Sequence, residues 1–139
     1  DVELESRYEV YAEVYILSIG VEAKLVADMA KTIIYPAAMK YLSDLAETSG
    51  SISSMGIVLD SSIASAIAAE SNAMIAAVKE LEMISEKEDF ASIDEHMQYC
   101  ATEIRGMMDK VRANADALEA IIADEQWPLP KYREMLYIK

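Results

Sequence analysis

From Ile93 to Ile121 one stripe of residues recurs in steps that alternate four and three without a break: Ile93, Met97, Cys100, Ile104, Met107, Val111, Asn114, Leu118, Ile121. That alternation keeps one face of a helix turned toward a partner along its whole length. The run therefore demands at least one other long helix to pack against. It stops at Trp127-Pro128-Leu129-Pro130, where two prolines remove backbone donors and fix φ, so the helix cannot continue. Asn114 is the one polar member of the stripe. Either it is a register-setting core amide, as in coiled coils, or the helix is slightly rotated, with Ala115 facing in and Asn114 out.

The rest of the chain is rich in the helix formers Ala, Glu, Met, Leu and Lys, and it holds no alternating strand pattern bounded by turns. Ser6 and Glu9 make an S-x-x-E capping box, which places a first helix over about 6–47, kinked where Pro36 deletes a backbone bond. Its apolar positions lie on two sides, Val10, Val14, Leu17 and Val21 on one and Tyr8, Tyr11, Tyr15, Ile19 and Val26 on the other, which predicts packing on both. Gly50 and Gly56 bracket Ser51-Ile52-Ser53-Ser54 as a loop. A second helix over about 57–86 carries the face Leu59, Ile63, Ile67, Met74, Val78 and Leu81, and its many alanines between Ala64 and Ala77 predict close helix approach. Ser92 and Glu95 make a second capping box and open a third helix over about 92–124, roughly 50 Å long. Short connections between long helices favour antiparallel neighbours. The expected fold is all-α: one domain over 1–139, an antiparallel up-down-up bundle of three long helices with a short Trp/Pro tail over 126–139.

Charge narrows the function. There are 25 acidic and 12 basic residues, a net charge of −13. A nucleic-acid binder needs the opposite sign to release counterions, and anionic membrane surfaces repel such a chain. No uncharged apolar stretch reaches about 18 residues, so no membrane span is expected. Cys100 is the single cysteine, so no internal disulfide forms and a reducing compartment, the cytoplasm, fits best. The opening Asp1-Val2-Glu3-Leu4-Glu5 reads as the middle of a longer chain, and no secretory leader is seen. A hydrophobic share of 53% is high for a small helical domain, so some apolar surface is expected to face a neighbouring domain.

Reactive constellations are scarce. His96, Cys100 and Glu103 stand at i, i+4 and i+7 and could in principle hold zinc. Cys100 falls on the packing stripe, however, and the chain has one His, which favours a structural Cys and a surface His. The same scarcity argues against a hydrolytic triad and against a metal-dependent helical-bundle enzyme. Glu82, Glu86, Glu88 and Asp89 read as a solvated acidic end, and no phosphate-cradling glycine motif occurs. Tyr8, Tyr11 and Tyr15 form an aromatic stripe suited either to burial in the bundle or to an interface. The tail concentrates Trp127, Pro128, Pro130, Tyr132 and Leu136, either capping the bundle's end or meeting another surface. These eight residues are the candidate interface; catalytic, cofactor and metal residues are expected to be none.

Three segments taken in order resemble the C-terminal region of type III glutamine synthetases, the large bacterial form of that enzyme. Glu5-Ser6-Arg7-Tyr8-Glu9 is similar to the segment after that family's catalytic domain. Ile34-Tyr35-Pro36-Ala37 resembles its I-x-P-A element, with Val21-Glu22-Ala23 at the expected distance before it. Trp127-Pro128-Leu129-Pro130-Lys131-Tyr132, then Met135-Leu136, resembles its W-P-x-P-x-Y…L-L terminus, departing from it over Lys131-Tyr132-Arg133-Glu134, where a small polar residue and then Tyr-Gly-Asp would stand. The resemblance implies a parent that joins ammonia to glutamate with ATP and Mg or Mn through a γ-glutamyl phosphate. It implies that this region carries none of that chemistry, and that its partners are its own catalytic domain and the neighbouring subunits of a ring-shaped homo-oligomer. A free-standing helical interaction module is the rival reading, and coding sequence ahead of Asp1 separates the two.

Overall fold

The computed structural model describes residues 2–136. Among these residues every regular element is helical. Helix α1 (Val2–Met29) passes through a π-helical turn (Ala30–Ile34) into α2 (Tyr35–Ser53) without interruption. Helix α3 spans Ser62–Ser85. Helix α4 (Ile93–Tyr99) passes through a second π turn (Cys100–Ile104) into α5 (Arg105–Ile121). A 3₁₀ turn (Asp124–Gln126) and the short α6 (Tyr132–Leu136) complete the chain.

The helix boundaries correct several expectations. Ser6 does not cap α1, which is already helical at Val2 with Glu3 and Glu5 in its first turn. Acids there offset the positive helix end, and Glu3 accepts from Arg7 at 2.7 Å one turn on. At the other end the helix does not stop near 47. Gly50 through Ser53 are helical, and the reversal comes at Gly56, whose φ is +81°. There Gly56 N–H donates to Ser53 O at 3.0 Å and Ile57 N–H to Ile52 O at 3.4 Å, the paired bonds of a Schellman cap, which needs a left-handed residue at this point. Residues 57–61 are not helical. Helix α3 starts only at Ser62, whose N–H donates to Asp60 Oδ1 at 2.8 Å.

Pro36 sits just after the first π turn. A proline withholds one N–H and its ring crowds the carbonyl four residues back. The preceding turn widens by a residue, and Tyr35 N–H reaches Ala30 O, so helix resumes beyond the proline. Ser92 caps its helix as the sequence predicts, since Glu95 N–H donates to Ser92 Oγ at 3.2 Å, but the return bond is shifted by one residue: Glu95 Oε2 accepts from Ala91 N–H at 2.9 Å, not from Ser92 N–H.

One core runs through all three long segments. From α5 and its π turn come Cys100, Ile104, Met107, Val111 and Leu118 of the stripe. Asn114 is not among them: its Nδ2 bonds the carbonyl of Lys110 in its own helix at 2.9 Å, while Ala115 packs on the core, as the rotated-helix reading holds. In α3 the face Ile67, Met74, Val78 and Leu81 is buried, but Leu59 and Ile63 are exposed. Helix α3 packs closely along α5, as expected, with Ala77 in the core, while Ala66, Ala69, Ala73 and Ala76 face out. The first long segment also buries small side chains, Ala12, Ala23, Ala27, Ala30 and Ala38.

Polar cross-links order the segments. Tyr8 Oη donates to Asp94 Oδ1, Lys31 pairs with Glu82, and Gln126 Nε2 donates to Asp44 Oδ2 at 2.6 Å. Glu82 is thus held across the bundle and is not part of a free acidic end.

Candidate functional site

Helix α1 buries one side only. Its alanines, with Ile19, turn toward α3 and α4, while Leu4, Val10, Val14, Leu17, Val21 and Leu25 are exposed, Leu17 to 69% and Val21 to 66%. The expectation that this helix packs on two sides is therefore corrected within this chain. The second apolar side is present, but nothing in residues 2–136 covers it. An apolar strip along several helical turns of one element is far more than the scattered exposed hydrophobes of an ordinary surface.

The structure divides the tyrosine stripe. Tyr15 packs against the core. Tyr8 is half-exposed, its hydroxyl held by Asp94; that hydrogen bond, then desolvation and the Asp94 charge, push the phenol above its ordinary 10.0. Tyr11 is 74% exposed and adjoins the apolar strip. The tail splits as well. Trp127 lies in the chain's own core, 8% exposed, with Leu129 packed beside it, whereas Pro128, Pro130 and Leu136 are exposed. Lys131 fastens this return: its Nζ lies 2.6 Å from Asp124 Oδ1 and 3.3 Å from Ile122 O. The Tyr132 side chain lies outside the described residues.

His96, Cys100 and Glu103 do not converge. His96 stacks on Phe90 at 4.1 Å and 9°, Cys100 is buried, and Glu103 is exposed. Burial pushes the Cys100 thiol above its ordinary 9.0, so it behaves as a small apolar side chain. Among the described residues no three His, Cys, Asp or Glu side chains are grouped to hold a metal ion, and no helix is long and apolar enough to cross a membrane.

The strip has no signature of its own in sequence, because Leu17 and Val21 look the same whether they face a core or a partner. The usable signal was the width of the apolar arc on α1. Lys24 and Lys87 carry no sequence signal either, since they come to one cleft only through the fold.

By architecture this is an all-helical domain that leaves one apolar helix face open. Residues 1–53 match the family model of the glutamine synthetase C-terminal domain, and the matched stretch ends where α2 ends, at Ser53. The similarity to named proteins runs further. A type-3 glutamine synthetase from Dictyostelium discoideum is 32% identical across 99% of this chain, and a glutamine synthetase from Bacteroides fragilis (strain YCH46) is 30% identical across all of it. The chain is the C-terminal region of a type-3 glutamine synthetase-like protein, and it spans about 20% of the length of these curated relatives.

Proposed function

We propose that this chain is the non-catalytic C-terminal helical domain of a bacterial, cytoplasmic type III glutamine synthetase, and that its role is structural. The open face of α1 docks on the catalytic domain or on a neighbouring subunit and helps to hold a ring-shaped homo-oligomer together. In this reading the three long segments run up, down and up as a scaffold behind that face. ATP, Mg or Mn and the ligation of ammonia to glutamate belong to the catalytic domain.

The observation that carries the reading is the exposed strip from Leu4 to Leu25, which falls inside the stretch that matches the glutamine synthetase C-terminal family. Apolar surface of that extent gains about 25 cal/mol per Å² when covered, so a partner surface is its natural complement. The test is the pair Leu17→Lys and Val21→Lys in the complete enzyme. Subunit assembly, followed by sedimentation, should weaken or fail, while the 139-residue chain carrying the same changes melts as the unaltered chain does. Full assembly in the double variant would refute the docking role, and γ-glutamyl transfer by the 139-residue chain alone would refute the non-catalytic one.

A further inference from the structure

We propose that the cleft between α1, the end of α3 and the second π turn binds a small monocarboxylate with an apolar body. The cleft encloses about 270 Å³. Its walls are Ile16 and Val21 of α1, Ile84 of α3, and Ile104 of the π turn. Ligand pockets span roughly 300–1,000 Å³, so this one suits a single ring or a short chain and is too small for a nucleotide.

The charge at its edge sets the ligand class. Lys24, Lys87 and His96 line the cleft, and no carboxylate does, in a chain with 25 acids and one His. Among the described residues neither Lys24 nor Lys87 is ion-paired. Lys87 is held over the rings of Phe90 and Tyr99, 4.8 and 4.7 Å from their centres. Tyr99 is fixed in turn by donating to Ile84 O at 3.1 Å. The neighbouring hollow against Lys31 shares Lys24 and Ser85 with the cleft but is lined by Asp28, Glu82 and Glu86 as well, so Lys24 stands between an acidic hollow and one without carboxylates, and Lys87 is the cation particular to the cleft. Two ammonium groups and an imidazole above apolar walls match an anion on an apolar body.

The floor supports the same assignment. Gly20 lies in the middle of α1, where glycine costs about 1 kcal/mol relative to Ala. A Cβ there would meet nothing within 4 Å, so no neighbour requires glycine at this position. What it leaves is room in the cleft. The second π turn contributes Cys100 and Ile104 to the wall, and such turns recur at functional sites. The cleft is made by this chain alone; Leu17 and Val21 of the open α1 face also line it, so titration of the unassembled 139-residue chain reads the cleft apart from any docked partner.

The test is calorimetric titration of the 139-residue chain with phenylacetate, with phenylacetamide of the same shape but no charge, and with phenethylamine of opposite charge. Phenylacetate should bind at one site with a Kd of about a millimolar or tighter, the scale for ten heavy atoms. The amide should bind about tenfold more weakly and the amine not at all, since a charged acceptor roughly doubles a hydrogen bond's strength. Gly20→Leu should abolish phenylacetate binding with no loss of melting temperature, and Lys87→Gln should weaken it several-fold. Backbone amide shifts should cluster at 16–24, 84–87 and 96–104. Equal affinity for acid and amide, wild-type binding by a folded Gly20→Leu variant, or no saturation below about 10 mM would overturn the proposal. The acid–amide comparison needs no variant, so it decides even if Gly20→Leu does not fold.

Discussion

Gln126 Nε2 donates to Asp44 Oδ2 at 2.6 Å, joining the residue before Trp127 to α2 across 82 positions of sequence. The contact lies where the last long segment has ended and the chain turns back. Trp127 N–H donates to Ala123 O at 3.1 Å, and the indole enters the core beside Leu129. The prolines that stop the helix also let this aromatic side chain lie down on the bundle it has just left, so Trp127 and Leu129 belong to the core of their own chain while Pro128, Pro130 and Leu136 stay exposed.

Trp127→Ala should therefore destabilise the 139-residue chain by about 3–5 kcal/mol, as for other buried aromatic side chains. Asp44→Ala, which removes one exposed partner, should cost about 0.5–1.5 kcal/mol. Chemical unfolding followed by circular dichroism measures both. A loss below about 1 kcal/mol for Trp127→Ala would mean that its packing energy is realised against a surface outside this chain.

The two glycines of the first reversal should respond with opposite signs. Gly50 is inside α2 with open space where a Cβ would go, so Gly50→Ala should stabilise by about 0.5–1 kcal/mol. Gly56 holds φ +81°, so Gly56→Ala should destabilise by about 1–2 kcal/mol despite the same open space. Melting temperatures of the two variants check this. A helix ending near 47 would give no gain at Gly50.

These positions also show why parts of the fold were legible in the sequence and others were not. The stripe from Ile93 to Leu118 could be read because periodicity is a property of sequence alone. The Ser92–Glu95 box could be read because both partners lie within one turn. Gly50 could not be distinguished from Gly56 by residue type, since the Schellman bonds of Gly56 depend on where the helix already ends. Both sides of α1 are apolar, and the side that is buried is the alanine side, the weaker signal by hydrophobicity. Neither π turn has a residue signature that sequence spacing exposes. At the candidate cleft, Lys24 and Lys87 come from segments more than a helix apart, and only the packing of α1 against the end of α3 brings them together.

Stability should fall in alkaline solution, with Cys100 responsible for a separable share. Burial raises the Cys100 thiol above 9.0. Tyr99 is raised above 10.0, by burial first and then by the charges of Glu103 and Cys100. Each group is an acid that holds its proton more firmly when folded. Its contribution is therefore fully present below the unfolded value and is lost as pH climbs through the raised folded value, because the unfolded chain gives up the proton first. For Cys100 the loss begins near 9.0, for Tyr99 near 10.0. Cys100→Ala removes the thiol's share and the Cys100 part of the Tyr99 shift, and leaves the part that burial and Glu103 produce. Urea midpoints of the two chains, measured from about pH 7.5 to about pH 10.5, should converge as pH rises, because the unaltered chain loses a term the variant lacks. A constant gap over that range would show that the Cys100 environment does not discriminate between thiol and thiolate.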